Sequence, residues 1–371
     1  IAPAGFMHHA VAENVIAGVA MARRAQFQFG HTLPVGPAGQ VDSGLGKNLP
    51  KAQPGLIAPT QTINEMFESH VIDGVEIEFQ LAPDSEAPSE MHFFFPGLRA
   101  VNMAENTNHL MHNLCPLRGA QVRDSLAWSK YLNHALHHYA GRVDVLMAQH
   151  HWPTWGTAQV QKFLTEQRDM YRVIHDQTVR MMNHGLKPAE IAEELRMPKS
   201  LGALWHARGY YGSLSHNVKA VYQRYLSWYD AHPANLHALP PVPAAKKTIE
   251  YMGGIEAVLL KAQADLDKGE YRWVAEVMKH AVYAHPEHKA ARELAANAME
   301  QMGFQAESAT WRNAFLLAAQ EYRLGTPKPF TQVLGGTLLP AVSNALLFDA
   351  LAVRWNAVRG EGVSFSMLWH F

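Results

Sequence analysis

The sequence predicts an α+β chain of more than one domain. Its 371 residues exceed what one ordinary hydrophobic core organises. Residues 1–158 mix short strands, helices and Gly/Pro loops. From residue 159 to 325 the pattern turns helical throughout, and residues 326–371 open a further α/β unit. Hydrophobic residues make up 48% and charged residues 18%, the balance of a folded globular chain. Lys plus Arg number 32 against 33 for Asp plus Glu, so the basic excess that nucleic-acid affinity rests on is missing. No apolar run approaches the roughly 20 residues of a membrane helix. The single cysteine, Cys115, excludes an internal disulfide, and 22 histidines make an imidazole-ligated metal worth seeking.

Taken in order, HAVAENVIAGVAMARRAQ has helical period, with Val11 to Ala25 carrying the apolar face. From Gly36, GPAGQVDSGLGKNLPKAQPG reads as a loop. Its Gly46-Lys47 pair fails as a phosphate loop, because Val41 stands where the first Gly belongs and Asn48 where Ser or Thr does. GVEIEFQL alternates Val75, Ile77, Phe79 and Leu81 with polar residues, a half-buried strand. The turn APDSEAPSE leads to a second, more buried strand in MHFFFP. Glu86 therefore sits on an inter-strand loop between Pro83 and Pro88, where a rigid sheet can present a ligand.

In the helical region one long helix runs from Thr157 to a C-cap at Gly185. KPAEIAEELRMPKS looks like half of a helix-turn-helix, but the apolar LGALWHARGYYG after it does not suit DNA. VKAVYQRYLSWYD makes another helix and HPANLHALPPVP an extended connector. Four helical blocks between 254 and 323, with small residues at helical spacing, resemble tetratricopeptide-type pairs and offer a dimer surface. TPKPFTQVLGG (326–336) reads as a linker, 338–358 as a helical stretch, and VSFSMLWHF (363–371) as a strand. The missing initiator Met and the strand at the very end suggest a piece of a longer polypeptide.

The chemistry concentrates in ENTNHLMHNLCPLRG, Glu105 to Gly119. Glu86, Glu105 and His150 or His151 stand on separate loops that could converge, and carboxylate oxygen with imidazole nitrogen is the usual donor set of a hydrolytic zinc site. A glutamate among prolines equally suits a solvated turn. His109 and His112, three apart, would share a helix face as ligands, supporting donors or core residues. Asn113 and Arg118 flank the apolar turn LCPL. A guanidinium beside it suits a tetrahedral oxyanion, the alternative being an ion pair with Asp124.

These segments, APDSEAPSEMHFFFP, AENTNHLMHNLCPLRGAQVRD, HHWPTWG and above all HARGYYGSLSHNVKAVYQRYLSWYDAHPANL, resemble the alkyl sulfatases of the metallo-β-lactamase superfamily, along essentially the whole chain. The resemblance implies part of an αββα metallo-β-lactamase domain (1–158), an all-α dimerisation domain (159–325) and the start of a sterol-carrier-protein-like α/β domain (326–371). It implies hydrolysis of dodecyl-sulfate-type esters at a site with two zinc ions. Glu86, Glu105 and His150 match metal ligands, and Asn113, Leu114, Cys115, Pro116, Leu117 and Arg118 match the sulfate-binding loop. The family's HxHxDH motif is absent from the sequence, so activity is expected to need that segment from outside it, on a companion chain or a further part of the polypeptide. The expected partners are the ester and a second copy. The competing readings are a non-catalytic dimerising and lipid-binding module, and a related hydrolase of another ester. Compartment stays open.

Overall fold

The computed structural model describes residues 1–47, 56–326 and 342–370. Its centre is a six-stranded sheet whose strands follow sequence order: Phe67–Ile72, Val75–Leu81, Met91–Phe95, Ala100–Asn102, Val145–Met147 and Thr154–Trp155. Neighbours are antiparallel except for one pair. Ala100–Asn102 runs parallel to Val145–Met147, with Asn102 opposite Met147. A parallel pair needs a crossover, and here it comprises the loop 103–124 and the helix Ser125–His138. Asp124 starts that helix, its carboxylate accepting from the Leu126 and Ala127 amides at 2.9 and 3.0 Å.

The helices Ser125–His138 and Thr157–Asn183 pack on each other, and one cluster runs from the sheet (Phe94, Val101, Leu146) into both (Trp128, Leu132, Phe163, Ile174). This corrects the half-buried reading of Val75–Leu81. Phe79 is buried on one face, but Gln80 on the other is buried as well, its amide donating to the Tyr131 carbonyl at 2.9 Å. Alternation marks one covered face; a helix laid over the polar face covers the second.

The first helical pattern is two helices, Phe6–Ile16 and Gly18–Phe29. The second packs on Ala309–Leu324, where Arg23 pairs with Glu321 at 2.7 Å. Beyond the long helix come Pro188–Glu194, Leu214–Leu226 and Pro241–Tyr251, so the expected extended connector is in part helical, with prolines in its first turn. The four blocks are the helices Ile255–Asp267, Tyr271–Ala284, Lys289–Gln305 and Ala309–Leu324. Their core uses Ala275, Ala281, Ala291, Ala295 and Ala298, small residues that let helix axes approach.

Apart from its first residue, the linker expected at 326–336 lies outside the described residues. In the closing region Asn344–Ala352 is helical. The strand expected at 363–371 is not one over 363–370: this stretch pairs with no strand among the described residues, and Phe365 and Trp369 instead meet the rings of Trp355 and Phe348.

Candidate metal centre and anion loop

The sheet brings the acidic loops together at one of its ends. Glu105 and His150 each stand three residues beyond the ends of the two parallel strands, Asn102 and Met147, which are partners in register. The loops stay tied after the strands end, through Met103 N–H to Met147 O at 2.9 Å and Gln149 N–H to Ala104 O at 3.0 Å. Met91–Phe95 is antiparallel to Ala100–Asn102, with Phe93 opposite Asn102. The Glu86 loop therefore enters the sheet at the end where the Glu105 loop leaves it.

Glu105 uses both carboxylate oxygens, Oε1 to His150 Nε2 at 3.0 Å and Oε2 to His112 Nε2 at 2.9 Å. Burial works against its ionisation, but the hydrogen bonds with His112 and His150 prevail and hold its carboxyl well below the ordinary range. The same contact holds the His150 imidazole above its ordinary value, against burial. His112 is buried, with Nδ1 3.0 Å from the Asn113 carbonyl. A proton on Nδ1 donated to that carbonyl leaves Nε2 as the nitrogen that can ligate. Glu86, Glu105 and His112 can offer ligand atoms all within 4.8 Å of one another.

Two further residues shape the centre. The Arg123 guanidinium bonds the Glu86 carboxylate and carbonyl, the Asn113 carbonyl at 2.7 Å and Asn113 Oδ1 at 2.5 Å. Glu90 is buried nearby, and burial together with the charge of Glu86 pushes its carboxyl up to about 8. The Glu86 and Glu105 carboxylates, with the His112 and His150 imidazoles beside them, form a donor set of hard oxygen and borderline nitrogen. That set fits a divalent cation of the zinc class.

Of the two adjacent histidines, His150 meets Glu105, whereas His151 turns to the Gly44 carbonyl and the His109 amide, each at 3.2 Å. His109 stacks on Phe163 at 4.6 Å and bonds Thr154 Oγ1 at 3.2 Å. Burial, with the nearby His206 and His151, lowers it to about 4. His109 and His112 do not share a helix face, because the segment from 107 to 124 is not helical. From 111 to 114 most of its backbone bonds go instead to residues 171–217. Met111 N–H donates to the Arg208 carbonyl at 2.8 Å and Gly212 N–H to the Met111 carbonyl at 2.9 Å, while Tyr171 Oη accepts from His112 N–H at 3.2 Å.

Within the expected sulfate loop, Leu114 is core and its amide donates to Asn217 Oδ1 at 2.9 Å. The Cys115 carbonyl meets His216, and the Cys115 thiol faces the Ala120 carbonyl. The Arg118 amide donates to Gln28 Oε1 at 2.9 Å, and its guanidinium to the Gly119 carbonyl at 3.0 Å. Asp124 pairs with Arg224 at 3.0 Å, so the alternative Arg118–Asp124 pair is not formed. Arg118, Arg123 and Arg224, with Glu86 and Asp84, line one cavity of about 340 Å³. His112, Glu90 and Arg123 are the functional candidates that sequence reasoning missed or ranked low. For Arg123 the only signal was its place in GAQVRD.

The sheet thus sets a carboxylate–imidazole cluster against an arginine-lined cavity, and an α-helical module follows it in the chain. Residues 187–325 match the family model for alkyl sulfatase dimerisation. The chain is 53% identical to "Alkyl/aryl-sulfatase BDS1" of Saccharomyces cerevisiae over 371 residues, all of this chain and 57% of that protein. It is 46% identical to an "(R)-specific secondary-alkylsulfatase" of a Pseudomonas species, over all of this chain and 56% of that one. The solved structure of the stereoselective inverting sec-alkylsulfatase Pisa1 from Pseudomonas superposes with a TM-score of 0.94 at 46% identity, covering 97% of this chain and 57% of that one. The chain is similar to alkylsulfatases along its whole length, and it spans a little over half the length of these relatives.

Proposed function

We propose that this chain supplies the carboxylate side of a zinc-dependent hydrolase that splits alkyl sulfate esters of the dodecyl sulfate type into alcohol and inorganic sulfate. The observation that carries the reading is the meeting of Glu86, Glu105 and His112, with His150 on the far oxygen of Glu105, beside a cavity lined by Arg118 and Arg123. The relatives' names support the ester class.

Glu86, Glu105, His112 and His150 would hold the cation or cations. Zinc bound there lowers the pKa of water to near 7 and makes a nucleophile available at neutral pH. Before a cation binds, Glu105 holds both imidazoles in place through its two oxygens, and Arg123 fixes the Glu86 carboxylate. Arg118 and Arg224 face the same cavity, where paired N–H donors match two oxygens of a sulfate group and offset its charge. The sequence contains no HxHxDH run, so a complete two-zinc site draws further ligands from outside these 371 residues. The helical module 187–325 supports pairing with a second copy.

The test is sulfate release from dodecyl sulfate by a polypeptide that contains both this chain and an HxHxDH segment. We expect Arg118→Ala to weaken the ester's KM and kcat/KM by tenfold or more with an unchanged melting curve. Unchanged kinetics would remove the sulfate loop from the account.

A further inference from the structure

We infer that Asn217 is a positioning residue for the metal and anion loop, so that the helical module sets the geometry of a site on the sheet. The inference rests on the reading of that loop given above. Asn217 is fully buried in the helix Leu214–Leu226, inside the stretch that matches the dimerisation model. Its side chain spends both ends on the loop, with Oδ1 accepting from Leu114 N–H at 2.9 Å and Nδ2 donating to the His112 carbonyl at 2.9 Å. One amide thus brackets Asn113, fixing the peptide units on either side of it.

The bracket acts on functional atoms. His112 offers Nε2 to the cluster, and Asn113 holds Arg123 through its carbonyl and Oδ1. The loop has no ladder of its own to hold it, being neither helix nor strand. Amide-to-backbone bonds of this kind stand in for the missing ladder. Removing the amide orphans one buried donor and one buried acceptor on the loop while leaving the helix face otherwise packed.

Asn217→Leu keeps the branched shape and the number of heavy atoms and deletes both bonds. Val218→Ala serves as control, since Val218 is equally buried on the same helix but packs into the cluster with Met181 and Ile191, away from the loop. In the full chain, zinc affinity is read by competition with a chromophoric chelator, and loop order by hydrogen exchange at the Leu114 amide. We expect Asn217→Leu to bind zinc at least tenfold more weakly and to lose protection at Leu114, with Val218→Ala changing neither beyond twofold. Asn217→Ala, which leaves room for water at both groups, should show the same changes in smaller measure and stands in if the Leu variant does not fold. The inference is overturned if Leu114 stays protected in the Asn217 variants, or if Val218→Ala weakens zinc binding as much. Should the parent chain take up no zinc, the metal reading fails instead, and exchange at Leu114 still decides whether Asn217 holds the loop.

Discussion

Arg123 and Glu86 form an ion pair with both partners largely buried, their side chains 9% and 14% exposed. Breaking such a pair from one side leaves an uncompensated charge, at a cost of about 3 kcal/mol. Arg123→Met should therefore lower the melting temperature of the metal-free chain, and zinc should restore most of the loss, because a cation takes over the Glu86 carboxylate. An equal loss with and without zinc would place Glu86 outside the centre. His92 tests the interior at the same scale. It is fully buried, its ring Nε2 bonded to Asn106 Oδ1 at 3.1 Å, and burial lowers its pKa to about 4. The folded-state value lies below the unfolded one, so between pH 6.5 and 4 the unfolded chain takes up a proton that the folded chain refuses. Stability should fall through that window by roughly 3 kcal/mol, with no effect above it. His92→Gln keeps a donor for Asn106 and should flatten that limb of the melting-temperature profile.

The loop 103–124 is the element on which the site depends, and Gly212 is where it meets the helical module. A Cβ there would fall 2.7–2.8 Å from the His112 carbonyl and the Asn113 amide nitrogen. Gly212→Ala should cost about 1–3 kcal/mol of stability and weaken zinc binding tenfold or more by displacing His112, as chelator competition would register; unaltered zinc affinity would mean the loop yields without moving the ligand. This element also marks the limit of what the residues disclose. Strands and helices were legible because Val75–Leu81 alternates and Thr157–Asn183 repeats with helical period. Glu86, Glu105 and His150 come from the resemblance of the segments around them, and the fold brings their three loops together. His112, three residues from His109, reads from sequence as sharing a helix face with it, as ligand, supporting donor or core residue alike. The segment is instead a loop satisfied by residues about a hundred positions away, and no local pattern encodes such partners. Arg123 and Glu90 were hidden for the same reason: a lone arginine or glutamate acquires its role only from the charges packed around it.

At the scale of the whole molecule the account joins two parts, a sheet that converges carboxylates and a helical module that braces the loop and supports pairing. The chain should sediment at twice the mass of one copy, and a concentration-independent monomer would leave bracing as the module's only role. The long parallel-pair crossover explains why this arrangement was not visible from element order alone: it carries Glu105, His112, Asn113 and Arg123 between two neighbouring strands and makes the candidate metal and anion loop part of the fold's own connection. The most direct test of the central claim is zinc content per chain by elemental mass spectrometry, in the parent and in Glu105→Gln. The account predicts at least one zinc per chain in the parent, about two when the HxHxDH segment is supplied, and loss of most of it in Glu105→Gln. A parent free of zinc in both settings, or bound zinc indifferent to Glu105→Gln, would contradict it.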